Sequence, residues 1–91
     1  MINVTERAKQ ELTRILFDKV DMPQARLRLT SGEQGQLGIG IDIELPGDRI
    51  VEYRGTRVLV VERRLDSSLN GIVLDVDDTP QGLQLVIDEA S

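Results

Sequence analysis

The spacing of the apolar residues changes once along the chain, and this change constrains the fold more than any other feature. Between residues 8 and 20 the apolar positions are Ala8, Leu12, Ile15, Leu16 and Val20, which share one face of an α-helix. From residue 26 onward the apolar residues instead alternate with polar ones or form short runs, as they do in β-strands. The sequence therefore predicts one amphipathic helix followed by β-structure.

The ends of the helix are also marked in the sequence. Thr5 is a suitable N-cap, and Glu6 lies where a negative charge favours the positive end of the helix dipole. We expect the helix to end near Val20, because the residue before Pro23 is pushed out of the α-helical region.

Strand-like segments fill the rest of the chain. They cover residues 2–4, 26–30, 39–45, 50–53, 58–61, 72–76 and 83–87. Turns are predicted at 46–48, 54–55 and 77–82, and a short helical segment closed by Gly71 is predicted within 62–71. The continuous apolar run at 58–61 indicates a strand buried on both faces. We predict a single α+β or mainly β domain over residues 1–91, a small twisted sandwich or open barrel of six to seven strands.

Charge is distributed unevenly and narrows the possible partners. The net charge is −5, and all eleven basic residues precede residue 66, whereas residues 66–91 carry six acids: Asp66, Asp75, Asp77, Asp78, Asp88 and Glu89. This acidic third argues against a nucleic-acid surface, which needs a basic patch. We also expect no membrane partner and a cytoplasmic location, because the chain has no apolar run near 18 residues and no signal-peptide pattern at its start.

The chain contains neither cysteine nor histidine, which excludes several chemistries. Thiolate and imidazole metal ligands, and nucleophiles or bases built from these residues, are absent. The serines lack a histidine base. The acids Asp75, Asp77 and Asp78 could bind calcium or magnesium, but they lack the rest of an EF-hand loop, and Asp77 and Asp78 before Thr-Pro indicate a turn. The basic residues Arg49, Arg54, Arg57, Arg63 and Arg64 indicate a solvated strand edge, with an anion contact as the alternative. We therefore predict that the protein is not an enzyme.

Four of the eight glycines, Gly32, Gly35, Gly38 and Gly40, lie within the segment TSGEQGQLGIG at residues 30–40. Such spacing can indicate a phosphate-binding loop, but that mechanism needs a helix immediately after the loop, and here a strand follows. The segment instead predicts a wide hairpin loop or bulge, in which another backbone segment approaches Gly38 and Gly40 closely.

Five segments in order resemble the HesB/IscA-like family of A-type iron–sulfur cluster carriers. They are INVTERA (2–8), LRLTSGEQG (27–35), GTRVLV (55–60), SLNGIVLDV (68–76) and GLQLVI (82–87). The resemblance implies the family's fold over nearly the whole chain. It also implies a place for three cysteine ligands, one in the glycine loop and two in a C-x-C pair near the C-terminus.

None of the three cysteines has a counterpart here. The alignment places Glu33 at the position of the loop cysteine and Gln34 at the following serine, and the sequence ends at Ser91, about where the C-x-C tail would begin. A single carboxylate is a hard oxygen donor and cannot replace three soft thiolates. The resemblance therefore implies a degenerate relative without a cofactor, whose glycine loop is formed by Gly32, Glu33, Gln34 and Gly35.

Three functions follow as hypotheses. The first is a non-catalytic, homo-oligomeric domain with a protein-binding or regulatory role, whose partner would be iron–sulfur assembly machinery. The second is a binder of hard cations such as Fe²⁺, Mn²⁺ or Ca²⁺ through Glu33, Asp88 and Glu89, with ligands drawn from across a dimer. The third is a purely structural oligomerisation module, in which the glycine loop serves packing.

Overall fold

The computed structural model describes residues 1–89, and these form seven strands and two helices. In chain order the elements are β1 (Asn3–Val4), α1 (Glu6–Lys19), β2 (Ala25–Ser31), β3 (Leu37–Ile43), β4 (Arg49–Tyr53), β5 (Thr56–Val61), α2 (Arg63–Ser68), β6 (Ile72–Thr79) and β7 (Gly82–Glu89). The predicted order of one long helix followed by short strands, with one brief helical interruption, is confirmed.

The strands form two sheets that do not close into a barrel. One sheet has three strands in the order β1-β6-β7, and the other has four in the order β3-β2-β5-β4. The pairs β1–β6 and β2–β5 are parallel, and the remaining pairs are antiparallel. Helix α1 packs against β2, β4 and β5 of one sheet and against β6 and β7 of the other. The result is a small α+β domain in which the helix joins two open sheets.

Helix α1 begins and ends where its sequence predicts. The Thr5 hydroxyl accepts a hydrogen bond from the Ala8 amide at 3.1 Å, and the Val20 amide donates to the Leu16 carbonyl at 3.0 Å after the last turn. An N-cap of this kind satisfies one of the amides that a helix start leaves without an internal partner. The face that carries Ala8, Leu12 and Leu16 is buried in the core. No helix within residues 1–89 has the length and apolar character needed to cross a bilayer.

Strand β5 lies at the centre of the core. All four residues of its apolar run, residues 58–61, are fully buried, which confirms the prediction that both faces are covered. Leu59 aligns with Leu27 of β2, and both side chains belong to the main apolar cluster. Val60 aligns instead with Arg28, so it lies on the opposite face of the sheet. A strand between two packed layers has no polar side, which is why its sequence does not alternate.

The segment between β3 and β4 connects the two edges of the four-stranded sheet. Its turn places Pro46 and Gly47 at the centre, the Asp48 amide donates to the Leu45 carbonyl at 3.1 Å, and Gly47 has a φ of +88°. This is the pattern of a type II turn, whose third position favours glycine. The Asp48 carboxylate accepts hydrogen bonds from Arg28 Nη2 at 2.5 Å and Nη1 at 3.2 Å. Because Arg28 lies on the face that carries Val60, this ion pair fixes the segment to that face.

One predicted turn is shorter than expected. The sequence indicated a turn over residues 77–82, but Asp77 and Asp78 continue β6, which pairs with β7 up to Thr79 and Gly82. Only Pro80 and Gln81 connect the two strands. The Thr79 hydroxyl accepts from the Gln81 amide at 3.2 Å and donates to the Gly82 carbonyl at 2.7 Å, so it supplies the turn contacts that we expected from the aspartates.

Candidate functional site

The glycine loop is a tight hairpin between β2 and β3. The Gly35 amide donates to the Gly32 carbonyl at 3.1 Å, and the Gly32 amide donates to the Gln36 carbonyl at 2.8 Å. Gly35 has a φ of +79°, in the left-handed region that side chains disfavour. These contacts are those of a three-residue hairpin loop formed by Glu33, Gln34 and Gly35, with the glycine at the bulge position. The loop is therefore narrower than the wide loop that the sequence indicated.

The Gln36 side chain occupies the space beside this loop. Its Oε1 accepts a hydrogen bond from the Gln34 amide at 3.0 Å. A Cβ atom built on Gly32 would lie only 2.3 Å from Gln36 Nε2, so glycine at this position makes room for the glutamine. Three amides of the loop, those of Gly32, Gln34 and Gly35, are thus bonded within the loop, and the Gln36 side chain fills its concave side.

Gly38 and Gly40 have a different environment from the predicted one. The atoms nearest to their Cβ positions are Thr30 Oγ1 at 3.3 Å and Thr30 Cγ2 at 3.7 Å, and no backbone atom lies within 4 Å. Within residues 1–89, therefore, no second backbone segment packs against the Cβ side of these glycines. The two glycines do leave space beside β3, as the sequence predicted. The group that lies in this space is the Thr30 side chain of the adjacent strand β2, whereas a backbone segment was expected.

Glu33 lies at the tip of the hairpin and is exposed. Within residues 1–89 its carboxylate makes no hydrogen bond and no ion pair. The loop therefore presents one hard oxygen donor, with Gln34 and Gly35 beside it.

The three acids of the predicted cation site are not gathered in one chain. Residues 1–89 contain no group of three or more acids placed to hold a metal ion. Asp88 pairs with Val73 and Glu89 pairs with Ile72, so the two neighbours project from opposite faces of β7. A site that uses Glu33, Asp88 and Glu89 would need carboxylates from two chains.

The acids of β6 are likewise separated. Strand alternation places Asp75 and Asp77 on one face and Asp78 on the other. Asp75 accepts a hydrogen bond from the Thr5 hydroxyl at 2.7 Å, which, together with the Val76 amide, lowers the pKa of this carboxyl from its ordinary value. Asp78 lies 3.6 Å from Arg7 in an exposed ion pair. These contacts tie the start of α1 to β6.

The structure reveals an apolar surface that sequence reasoning missed. Ile41 and Ile43 of β3 are 56% and 47% exposed, and Leu83 and Ile87 of β7 are 51% and 42% exposed. In the sequence, the isoleucines alternate with glycine or charged residues, as the apolar residues of a half-buried strand do. They do lie on the core-facing side, because their cross-strand partners Leu27 and Ala25 are buried, yet no second layer covers them. We call these four residues the apolar edge.

The two strands that carry the apolar edge, β3 and β7, lie beside one another. A cavity of about 70 Å³ is lined by Leu37 and Ile39 of β3 and by Leu85 and Ile87 of β7, which places the two strands on either side of a narrow cleft. Both are terminal strands of their sheets, and within residues 1–89 neither has a strand partner on its outer side. The sandwich is therefore open along β3 and β7. The alternating isoleucines of β3 can be identified in the sequence, but the sequence does not show that Ile41 and Ile43 are exposed to solvent.

Solved structures provide the comparison with known proteins. An IscA structure with a [2Fe-2S] cluster aligns over 98% of this chain and 85% of its own, at 20% identity and a TM-score of 0.63. SufA of Escherichia coli, which is involved in biosynthesis of iron–sulfur clusters, aligns over 97% and 84%, at 15% identity and a TM-score of 0.69. A protein from Aquifex aeolicus solved by NMR aligns over 97% and 90%, at 24% identity and a TM-score of 0.64. No family model and no curated sequence matches the chain.

The residues of this chain do not fit an iron–sulfur cluster. Such a cluster is held by cysteine thiolates, and the chain has none. The hairpin that would hold the loop ligand carries the exposed Glu33 instead, and its concave side is filled by Gln36. The structure and its alignments therefore identify this chain as having the IscA/HesB-like fold, with a cysteine-free sequence whose glycine loop is a closed hairpin.

Proposed function

We propose that this chain is a non-catalytic protein-binding domain of iron–sulfur assembly, which docks through the apolar edge and carries no cluster itself. The observation that carries the proposal is the exposed core-type surface on β3 and β7. The link to iron–sulfur assembly rests on the likeness to IscA and SufA along nearly the whole chain.

The apolar edge has the properties of a docking surface. Single exposed apolar residues are normal, but here four large ones lie on two terminal strands, β3 and β7, that flank one cleft. Covering the exposed half of such a side chain stabilises a complex by about 1 kcal/mol, since full burial contributes roughly 1.5–3 kcal/mol. Four such residues together provide the apolar centre that interfaces typically have.

The backbone of β3 adds a second means of binding. A terminal strand presents unpaired N–H and C=O groups, and proteins usually protect such strands with charges, proline or bulges. β3 carries one charged residue, Asp42, and pairs with β2 in continuous register from Leu37 to Ile43. A partner strand could therefore extend the sheet here, with Ile41 and Ile43 giving the apolar contact.

The predicted occupant is a second copy of the chain, in keeping with a homo-oligomeric domain. Sedimentation velocity of the wild type at increasing concentration should show concentration-dependent association. The double substitution Ile41→Asp and Leu83→Asp should abolish this association, because it places two charges in the interface. The monomer should tolerate both aspartates, since the two sites are exposed. Gln84→Asp is the matched control, because Gln84 is exposed on the opposite face of β7.

Two results would contradict the docking proposal. One is a wild type that stays monomeric and also fails to form a complex when mixed with SufA. The other is association that is equally strong in the double variant and in Gln84→Asp, with unchanged circular dichroism in all three proteins.

The absence of cluster binding is tested separately. Anaerobic incubation with ferrous iron and sulfide, followed by gel filtration, should leave the chain colourless, whereas SufA treated in parallel serves as the positive control. A visible absorption band that elutes with the chain at a fixed iron-to-protein ratio would refute this part of the proposal.

A further inference from the structure

The backbone groups of β3 point alternately to its two edges, and the hairpin defines which residues point to which edge. The Gly32 amide donates to the Gln36 carbonyl at 2.8 Å, which makes these two residues a hydrogen-bonded pair. In an antiparallel ladder, such pairs alternate with pairs whose backbone groups point away from each other. From the register of β2 and β3, the residues of β3 that point their backbone groups away from β2 are Leu37, Ile39, Ile41 and Ile43. Because β3 is a terminal strand, these groups lie on the free edge of its sheet within residues 1–89.

Ile43 closes one end of this free edge. Its amide donates to Asp42 Oδ1 at 2.7 Å, and its carbonyl accepts from Arg28 Nη2 at 2.9 Å. Asp42 Oδ2 also lies 3.3 Å from Arg28 Nε, so the two side chains act together. We call Arg28 and Asp42 the edge clamp.

The other three outward residues have no such partner. Within residues 1–89, the hydrogen bonds made by side chains and loops include none to the backbone of Leu37, Ile39 or Ile41. At the far end of the strand, the hairpin bulge at Gly35 ends the ladder. The free segment of the edge is therefore residues 37–41, bounded by the hairpin and by the edge clamp.

This free segment is complementary to a second copy of itself. Antiparallel pairing about a two-fold axis at Ile39 places Ile39 opposite itself and Leu37 of one copy opposite Ile41 of the other. In this register every free donor and acceptor of both segments gains a partner, because opposed residues of a hydrogen-bonded pair exchange both bonds. Any other register leaves some of these groups unpaired or requires the occupied groups of Ile43.

Side chains and charge favour the same arrangement. The two-fold axis keeps the core-facing sides of both strands on one face, so their apolar side chains contact each other. On the opposite face, Gly38 lies opposite Gly40, and no side chains collide. Asp42, the charged residue of β3, lies opposite Gln36 of the other copy. Parallel pairing in register would instead place the two Asp42 carboxylates at neighbouring positions, which is unfavourable.

We propose that β3 pairs antiparallel with β3 of a second copy, centred on Ile39, and that the edge clamp stops this pairing before Ile43. The inference rests on the proposed function and specifies how the apolar edge binds its partner. Because two copies use all the free groups of the segment, none is left for a third chain, and the contact closes as a symmetric dimer.

Two substitutions at Ile41 separate backbone pairing from apolar contact. Ile41→Ala and Ile41→Pro both remove the large side chain, but only proline lacks the outward N–H group. An edge position whose amide points outward tolerates proline, so both variants should fold. Since the dimer contains this bond twice, sedimentation should show a dissociation constant about tenfold to a hundredfold weaker for proline than for alanine. Equal constants for two folded variants would overturn strand pairing and leave docking through apolar side chains intact.

Hydrogen exchange of the wild type tests the same point without a variant. As the protein concentration rises through the dissociation constant, exchange at Leu37, Ile39 and Ile41 should slow by about tenfold or more. Exchange at Ile43 should not change, because its amide is already bonded to Asp42. Association without slower exchange at residues 37–41 would overturn the inference alone, whereas a chain that stays monomeric would contradict the proposed function as well. In the monomer, Asp42→Ala should speed exchange at Ile43, and an unchanged rate would overturn the edge clamp.

Cross-linking tests the register, because the chain contains no cysteine of its own. In the dimer centred on Ile39, the two Ile39 Cα atoms lie about 5.5 Å apart, within the roughly 4.4–6.8 Å that a disulfide spans. The two Ile41 Cα atoms lie roughly 13–14 Å apart, since four residues separate each Ile41 from its copy's opposite position. Mild oxidation should therefore cross-link Ile39→Cys and not Ile41→Cys. Equal cross-linking of the two variants would overturn the register.

Discussion

Replacing Asp48 with alanine removes the carboxylate that fixes the segment between β3 and β4 to the sheet. The Asp48 side chain is 4% exposed and that of Arg28 is 11% exposed, so the pair is largely withdrawn from water. The carboxylate also accepts a hydrogen bond from the Leu45 amide at 2.8 Å, and Arg28 Nη2 donates to the Ile43 carbonyl at 2.9 Å. The same contacts therefore hold the end of β3, where the apolar edge begins.

The magnitude follows from what the alanine variant leaves behind. Breaking a buried ion pair by removing one partner typically costs about 3–5 kcal/mol, because the other charge remains buried. In the Asp48→Ala variant, the Asp42 carboxylate still lies 3.3 Å from Arg28 Nε, and the Ile43 carbonyl still accepts a hydrogen bond from Arg28 Nη2. We therefore expect a loss of stability at the lower end of this range, about 3 kcal/mol. A chain of 91 residues has a total stability of roughly 5–14 kcal/mol. The change should therefore be large but compatible with folding.

Urea denaturation monitored by circular dichroism measures this loss. A decrease of about 3 kcal/mol shifts the midpoint by about 1–3 M urea with an unchanged slope. Asp42→Ala is the matched control, because the Asp42 side chain is 52% exposed and its ion pair should contribute less than about 1 kcal/mol. The reasoning is refuted if the two alanine variants lose equal stability, or if Asp48→Ala loses less than about 1 kcal/mol.

The pH dependence gives an independent check on the same pair. The Arg28 guanidinium and the Leu45 amide lower the pKa of Asp48 from its ordinary value. A carboxyl with a lowered folded-state pKa contributes stability above its unfolded-state pKa, near 4, and loses it as the pH falls through the folded-state value. The difference between wild type and Asp48→Ala should thus be constant above about pH 5 and shrink below about pH 4. A difference that grows on acidification would contradict the assignment.

Two further changes test the loop and the helix start. Gly35→Val should destabilise the protein by about 1–3 kcal/mol in urea denaturation, because valine disfavours a φ of +79°. Sedimentation should nevertheless show an unchanged oligomer, since no atom lies within 4 Å of the Cβ position at Gly35. A changed oligomer would instead support the loop as a packing element. Thr5→Ala should lower thermal stability by about 1 kcal/mol through loss of the N-cap, and Thr5→Ser should restore most of it. Equal losses in the alanine and serine variants would show that the methyl group matters rather than the hydroxyl.

The local features of the fold were predictable because their causes lie close together in the sequence. The start of α1 follows from the Thr5 hydroxyl and the Ala8 amide three residues later, and its end from Pro23 soon after. The burial of both faces of β5 follows from its uninterrupted apolar run. The hairpin position of the glycine loop follows from strand patterns on both sides of it.

Contacts between distant segments were not predictable in the same way. Asp77 and Asp78 favour turns by composition, but pairing with β7 keeps them in a strand. Arg28 and Asp48 are twenty positions apart, and only the path from β3 to β4 brings them together.

The sequence by itself determined the type and order of the elements and which side of a strand is apolar, because side-chain periodicity is a property of neighbouring positions. The tertiary structure alone decided whether an apolar side is covered. Ile41 and Ile43 of β3 and Leu83 and Ile87 of β7 have the alternation of core residues, yet they lie on the terminal strands of two sheets and stay exposed in the structure of residues 1–89. Coverage depends on how separate layers meet in space, and the apolar edge exists for that reason.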